Sequence, residues 1–228
     1  MDETNQASAP AGLAGYYYQV DVSIYVALDL IIAQKRLDRI TLEPANHEDL
    51  AGDLTDEARA SAATALGLAD DCLIVQAKLR NTEPWSLEDL EKLIARRDAE
   101  EDQSAADRRR KSPAALLNGD AQLRYLLMTS ADLKGKARDL GVRAVGQWPA
   151  TLPATLAKLV PQGAGRIGVM AQLDEQKLEA LIRELLLVTC KVPRIHVEAC
   201  LAKLREIALW HMKNGPSDWT REALEATI

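Results

Sequence analysis

Hydrophobic positions along the chain follow two spacings, one typical of helices and one typical of strands. Over residues 16–34, apolar side chains recur every three to four positions, which predicts an amphipathic helix of about five turns. Short apolar or β-leaning runs predict strands at residues 39–43, 71–79, 123–130 and 166–171. Leu73, Ile74 and Val75 stand in succession, so the second of these runs is expected to be a central strand buried on both faces.

The pattern becomes purely helical after Leu173. Residues 175–189, 196–213 and 220–228 predict three consecutive helices, separated by Pro193 and by a Gly-Pro pair at 215–216. Residues 44–70 are acidic and rich in Ala, which indicates an insertion without a strand. These features divide the chain into a flexible tail over 1–14, an α/β domain over 15–172 and a helical extension over 173–228.

A helix start is marked at the segment WSLEDL. Ser86 is placed as an N-cap with Asp89 three residues later, and Trp85 and Leu90 take the positions of a hydrophobic staple.

Composition and charge narrow the class of protein. With 47% apolar and 27% charged residues, the chain matches an ordinary globular protein, and no segment reads as a membrane span or a signal peptide. The formal net charge of -6 disfavours a protein that coats nucleic acid by electrostatics alone. The three cysteines lack the CxxC spacing of a zinc site, so we expect a reducing, cytoplasmic setting.

One strand of this apolar chain ends in a polar pair. Gln76 and Lys78 are two residues apart and therefore share a face of the strand. Glu43 ends the preceding predicted strand, and Glu48 and Asp49 follow in the next loop. If the two strands are neighbours, their oxygen donors suit Mg²⁺ or Mn²⁺, and the lysine would help to activate a water for phosphodiester hydrolysis. The alternative is structural: Lys78 snorkels, and Gln76 caps the strand end.

Three segments together resemble a known family. GYYYQ at 15–19, LEPANHEDL at 42–50 and LIVQAKLRNTEPWS at 73–86 are similar to motifs of the PD-(D/E)xK nuclease superfamily, and more narrowly of the double-stranded DNA endonuclease domains of bacterial anti-phage defence proteins. These include effectors of cyclic-oligonucleotide signalling and STAND NTPases, and their third motif is QxK. The resemblance implies an α/β fold with a restriction-endonuclease-like mixed sheet flanked by helices, followed by a helical extension that leads towards an NTPase region.

The resemblance also implies a catalytic site. Asp49, Gln76 and Lys78 take the catalytic positions, with the metal on Asp49 and Gln76. Glu43 and Glu48 are rival or auxiliary metal ligands, because the interval from Glu43 to Asp49 departs from the usual spacing of the family. The resemblance leaves open which of the three carboxylates is the principal ligand.

Further residues complete the expected site. Gln19 would reach it from the first helix as an auxiliary group. Arg80 and a basic run would neutralise DNA phosphates, unless the run is only a solvated surface. That run consists of Arg108, Arg109, Arg110 and Lys111.

The resemblance thus predicts a Mg²⁺-dependent endonuclease of the bacterial cytoplasm that cleaves double-stranded DNA with little sequence preference. It would act as the effector module of an anti-phage system, activated by oligomerisation as a homodimer or tetramer, with a fused or partner STAND NTPase. The alternative is a catalytically inactive scaffold of the same fold that mediates protein–protein interaction.

Overall fold

A computed structural model of the chain describes residues 8–42, 50–54, 72–80, 83–95, 112–161, 163–214 and 217–228. Its centre is one six-stranded sheet in the order β5-β4-β3-β2-β1-β6. The strands are β1 (Leu37–Leu42), β2 (Leu50–Leu54), β3 (Cys72–Lys78), β4 (Leu123–Thr129), β5 (Arg166–Met170) and β6 (Ser217–Thr220).

The sheet is mixed, with a parallel half and an antiparallel half. Strands β3, β4 and β5 are parallel, and Val75 is paired with Leu126, which is paired with Gly168. Strands β2, β1 and β6 are joined to β3 and to each other by antiparallel pairing. The carboxyl ends of the three parallel strands therefore share one edge of the sheet.

Helices flank this sheet. They are α1 (Ser8–Ala27), α2 (Leu87–Ala95), α3 (Pro113–Gly119), α4 (Leu156–Leu159), α5 (Glu175–Glu184), α6 (Val197–Lys213) and α7 (Arg221–Thr227). Wider π-helical turns extend α1 over Leu28–Ala33 and α5 over Leu185–Thr189. Short 3-10 turns cover Gly135–Leu140 and Arg194–His196.

Alternation along β3 divides the core into two hydrophobic clusters. Leu73, Val75 and Ala77 belong to the cluster that includes α1, α5 and α6. Ile74 belongs to the second cluster, together with buried residues of α2, α3 and α4. Since burying one Leu or Val side chain contributes about 1.5–3 kcal/mol, the apolar run of β3 stabilises packing on both faces.

Several predicted elements are confirmed. The central strand occupies Cys72–Lys78, and the next two predicted strands occupy Leu123–Thr129 and Arg166–Met170. The coarse prediction of an α/β fold, a mixed sheet flanked by helices, is also confirmed. Among the described residues, no helix is long and apolar enough to cross a bilayer.

The prediction for the N-terminus and for residues 44–70 needs correction. Helix α1 begins at Ser8, inside the segment expected to be a flexible tail. Strand β2 lies in the segment expected to lack a strand, and it separates β1 from β3, so those two strands are not neighbours. Its sequence LAGDL contains residues that are depleted in strands, and pairing on both sides overrides that local preference.

The C-terminal part also differs from a purely helical extension. Strand β6 pairs with β1, with Trp219 opposite Ile40, so the chain returns to the sheet after α6. Leu178, Leu204 and Trp219 belong to the same hydrophobic cluster as α1. A four-residue strand has too few positions to show alternation, which is why the sequence pattern missed it.

Candidate functional site

The carboxyl ends of β3, β4 and β5 form the candidate site of this sheet. In open α/β sheets, ligands bind in the crevice outside the carboxyl ends of parallel strands. Here β3 ends at Lys78, and Lys78 is paired with Thr129 at the end of β4. The polar pair identified in the sequence therefore lies at this edge.

Gln76 and Lys78 share a face, as predicted, but their surroundings differ. Gln76 is 9% exposed, and its Oε1 accepts a hydrogen bond from the hydroxyl of Tyr125. Lys78 is exposed. The amide oxygen expected to bind a metal is thus already used within the fold, while the ammonium group is open to solvent.

The chain segments that leave β3 and β4 are joined to each other by hydrogen bonds. The backbone N–H of Arg80 donates to Ser130 Oγ at 2.8 Å, and Ser130 Oγ donates to the carbonyl oxygen of Arg80 at 3.1 Å. This reciprocal pair fixes the backbone of Arg80 beside the end of β4.

The side chain of Arg80 lies against two further groups. Its Cζ atom is 4.4 Å from the ring centroid of Trp85, within the range of a cation–π contact. Its Nη2 atom is 3.4 Å from Asp89 Oδ2, and 25% of the Arg80 side chain stays exposed. We call the side chains of Arg80, Trp85 and Asp89 the Arg80 platform.

Trp85 is itself held at several points. Its Nε1 donates to Thr129 Oγ1 at 3.0 Å, and its backbone N–H donates to the carbonyl oxygen of Asp132 at 2.8 Å. The backbone N–H of Lys134 donates to the carbonyl oxygen of Trp85 at 2.9 Å. Trp85 is 7% exposed, so the side chain of Arg80 packs on a ring that is itself buried.

The predicted capping box is confirmed and supplies the third part of the platform. The backbone N–H of Ser86 donates to Asp89 Oδ2 at 3.0 Å, and that of Asp89 donates to Ser86 Oγ at 3.1 Å. The hydrogen bond from the Ser86 backbone is the main reason that the pKa of Asp89 lies below its usual value. Asp89 thus remains a carboxylate beside Arg80, a role that the capping pattern alone did not reveal.

Charges at this edge are largely matched. Arg80 lies beside Asp89, and Lys134 Nζ is 3.9 Å from Glu83 Oε2. Both residues of the Lys134 pair are well exposed, so that pair is weak. The edge therefore offers an exposed lysine and a partly neutralised guanidinium.

Gln19 and Gln76 lie on different elements of the fold. Gln19 lies on α1, which packs against the face of β3 that carries Leu73 and Val75. Gln76 points to the opposite face, where it meets Tyr125. The auxiliary role expected of Gln19 stays a prediction.

The remaining predicted residues lie outside the described residues. These are Glu43, Glu48, Asp49, Arg108, Arg109, Arg110 and Lys111. Within the described part of the chain, no group of three His, Cys, Asp or Glu side chains is arranged to hold a metal ion. Of the expected donors, only Gln76 is described, and this single, already bonded oxygen does not make a metal site; the metal cofactor stays a prediction.

The chain is similar in structure to solved proteins, although no match is found by sequence. No protein-family model matches the sequence, and no curated protein matches it. A solved Cap4 SAVED/CARF-domain containing receptor of Acinetobacter baumannii, with the cyclic trinucleotide 3'3'3'-cAAA, aligns with 93% of this chain at a TM-score of 0.52 and 11% identity. The corresponding receptor of Moraxella osloensis aligns with 93% of this chain at a TM-score of 0.51 and 12% identity.

This likeness shows the fold, and the chain spans less than half of each similar structure, 44% and 48% of their lengths. Both similar structures are receptors, and the one from Acinetobacter baumannii contains a cyclic trinucleotide. This finding corrects the identification as a PD-(D/E)xK nuclease domain and, with it, the expected cleavage of double-stranded DNA.

Proposed function

We propose that this chain is one domain of a cyclic-oligonucleotide receptor in anti-phage defence. The observation that carries the proposal is the alignment of 93% of the chain with receptors that include a complex with a cyclic trinucleotide. The chain spans less than half of those structures. The proposal therefore concerns one domain and not a whole receptor.

The edge formed by β3 and β4 is the surface that we assign to the ligand. A cyclic trinucleotide presents phosphodiester groups and nucleobases, and a protein surface recognises these by cationic and planar side chains respectively. The exposed ammonium of Lys78 suits a phosphate oxygen, and Arg80 of the Arg80 platform follows two residues later in the chain. The location also agrees with the usual placement of ligands at the carboxyl ends of parallel strands.

Short-range contacts must provide most of the affinity. The formal net charge of -6 repels a polyanion at long range, and a Debye length of about 8 Å at physiological salt screens distant charges. A contact between Lys78 and one phosphate is therefore expected to give a shallow dependence of the affinity on salt, since the salt slope grows with the number of phosphates neutralised.

Isothermal titration calorimetry with 3'3'3'-cAAA tests this assignment directly. We expect saturable binding by the chain and a loss of about 10- to 100-fold in affinity for Lys78→Ala, because a hydrogen bond to a charged group contributes about 1.5–3 kcal/mol. Linear triadenylate serves as the ligand control, since it carries the same chemical groups without the closed ring.

A second lysine variant shows whether the affinity falls because Lys78 contacts the ligand or because the chain has lost one positive charge. Lys203 is an exposed lysine on α6, and that helix packs on the opposite face of the sheet. Lys203→Ala should leave the affinity unchanged. Absence of saturable binding by the wild-type chain would overturn the proposal, and equal losses in both lysine variants would overturn the assignment to the β3–β4 edge.

A further inference from the structure

A groove lies between α1, α5 and α6, and we call it the α1 groove. Its cavity volume is about 710 Å³, which is in the range of sites that hold small organic molecules. Leu13 and Tyr17 supply an apolar part of its wall and are 55% and 50% exposed. Because they are four residues apart, they lie on one face of α1. The groove thus offers an exposed apolar strip that includes an aromatic ring.

The charged side chains of the α1 groove are mainly acidic. Asp21, Glu175 and Glu179 line it together with Arg205. Arg205 donates hydrogen bonds to both Asp21 and Glu179, so those two carboxylates are already paired. Glu175 is exposed, and no cation of the described residues forms an ion pair with it. Its carboxylate is therefore available to a ligand.

A buried hydroxyl near Glu175 lacks a partner. Tyr18 also lines the groove and is 1% exposed, and its hydroxyl has no hydrogen-bond partner among the described residues. Burial raises the pKa of Tyr18, and the charges of Asp174 and Glu175 raise it further, so the phenol lies close to the start of α5. A buried polar group without a partner is costly, and a ligand that donates a hydrogen bond to this oxygen would remove that cost.

These polar groups suit an organic ammonium better than an anion or a metal ion. The carboxylate of Glu175 repels an anion. A metal ion needs several ligands, and the described residues hold no group of three His, Cys, Asp or Glu side chains arranged for one. A primary ammonium has three N–H donors, which match a carboxylate and a hydroxyl oxygen.

We propose that the α1 groove binds a small organic molecule that has a primary ammonium group and an apolar body. Glu175 and the hydroxyl of Tyr18 accept hydrogen bonds from the ammonium, and the body packs on Leu13 and Tyr17. Since the Tyr18 hydroxyl is covered in the free chain, side chains of the groove wall must shift when the ligand enters. This site is independent of the function proposed above, because it needs no nucleotide and includes no residue of the β3–β4 edge.

The first test uses two probes that differ only in the sign of their charge. Phenethylamine carries an ammonium on a phenyl ring with a two-carbon linker, and 3-phenylpropionate carries a carboxylate on the same body. In NMR titrations of the full chain at physiological salt, phenethylamine should bind saturably and 3-phenylpropionate about tenfold more weakly or not at all. At that salt concentration the Debye length is about 8 Å, so attraction to the distant charges of the acidic chain is screened.

Tyr18→Phe separates a binding role of the hydroxyl from a structural one. Because the hydroxyl has no partner among the described residues, its removal should leave the melting temperature unchanged or raise it. The affinity for phenethylamine should nevertheless fall by about 2- to 10-fold, the loss expected for one hydrogen bond. A hydroxyl that serves only the fold would not produce this combination.

Glu175→Gln tests the carboxylate, with Glu222→Gln as the matched control. Both glutamates are exposed and lie in the first turn of a helix, α5 and α7 respectively. Glu175→Gln should lower the affinity for phenethylamine by about 2- to 5-fold, as expected for an exposed ion pair, and Glu222→Gln should not change it. Equal affinities of the chain for the two probes, equal losses in the two glutamine variants, or an unchanged affinity in Tyr18→Phe would each overturn the assignment of this site.

Discussion

Arg205 donates two hydrogen bonds to the carboxylate of Asp21, from Nε to Oδ1 at 2.8 Å and from Nη2 to Oδ2 at 2.7 Å. Asp21 lies on α1 and is 9% exposed, and the same guanidinium also donates to Glu179 on α5 at 2.8 Å. One arginine of α6 therefore joins three helices. These contacts hold the pKa of Glu179 below its usual value, and the hydrogen bonds with Asp21 raise the pKa of Arg205.

Removal of the arginine is predicted to destabilise the chain. Arg205→Met leaves the carboxylate of Asp21 almost buried without its cation, and loss of one partner of a buried pair costs about 3–5 kcal/mol. Since 33% of the Arg205 side chain is exposed, water screens part of the effect. We expect the free energy of unfolding to fall by about 2 kcal/mol in urea denaturation.

Two further variants show whether the pair causes the change. Adding Asp21→Asn to Arg205→Met removes the stranded charge and should restore part of the lost stability. Lys203→Ala, at an exposed position of the same helix, should change the free energy of unfolding by at most about 0.5 kcal/mol. A double variant that is less stable than Arg205→Met would contradict the explanation by an uncompensated charge.

The C-terminal segment offers a second prediction, on two tryptophans that lie close in sequence. Trp219 of β6 is fully buried, whereas Trp210 of α6 is 60% exposed. Trp219→Ala removes a large side chain from the core and should lower the free energy of unfolding by about 3–5 kcal/mol. Trp210→Ala should cost at most about 1 kcal/mol. If Trp219→Ala loses no more than about 1 kcal/mol by circular dichroism in urea, the residues after α6 add little to the core.

Sequence patterns predicted the elements whose signals are local. The run from Leu73 to Val75 is apolar on both faces, so β3 was recognisable as a central strand. The box formed by Ser86 and Asp89 marked the start of α2 because the bonds join residues three apart. Strands β2 and β6 were missed because their pairing with distant strands, and not their composition, stabilises them.

At the candidate site too, the sequence predicted features set by neighbouring residues and missed contacts between residues far apart in the chain. Alternation placed Gln76 and Lys78 on one face, and the structure confirms it. The partner of Gln76 is Tyr125, 49 residues away, and no pattern in the sequence relates the two. The QxK motif is therefore compatible with a buried amide and an exposed lysine, and it does not by itself establish a nuclease. Likewise, Trp85 was visible as a staple residue but not as the support of Arg80.

A half-buried carboxylate just after α1 gives the third prediction, which concerns pH. Burial raises the pKa of Asp29 above its usual value of 3.8, against the opposing effects of a hydrogen bond from Gln34 and of the charge of Arg36. The folded state thus holds this proton more tightly than the unfolded state. The contribution of Asp29 to stability is complete below pH 3.8 and is lost as the pH rises through the folded pKa.

Asp29→Asn should therefore stabilise the chain at neutral pH. The asparagine carries no charge to desolvate, and its side-chain oxygen can still accept the hydrogen bond that Gln34 Nε2 donates to Asp29 Oδ2 at 2.8 Å. The melting temperature of the variant should exceed that of the wild type at neutral pH, and the difference should vanish below pH 3.8, where Asp29 is protonated in both states. Asp139→Asn, at an exposed position, should show no such pH-dependent difference. A gain for Asp29→Asn that persists unchanged into acid would mean that the asparagine improves packing and that the charge of Asp29 costs the fold nothing.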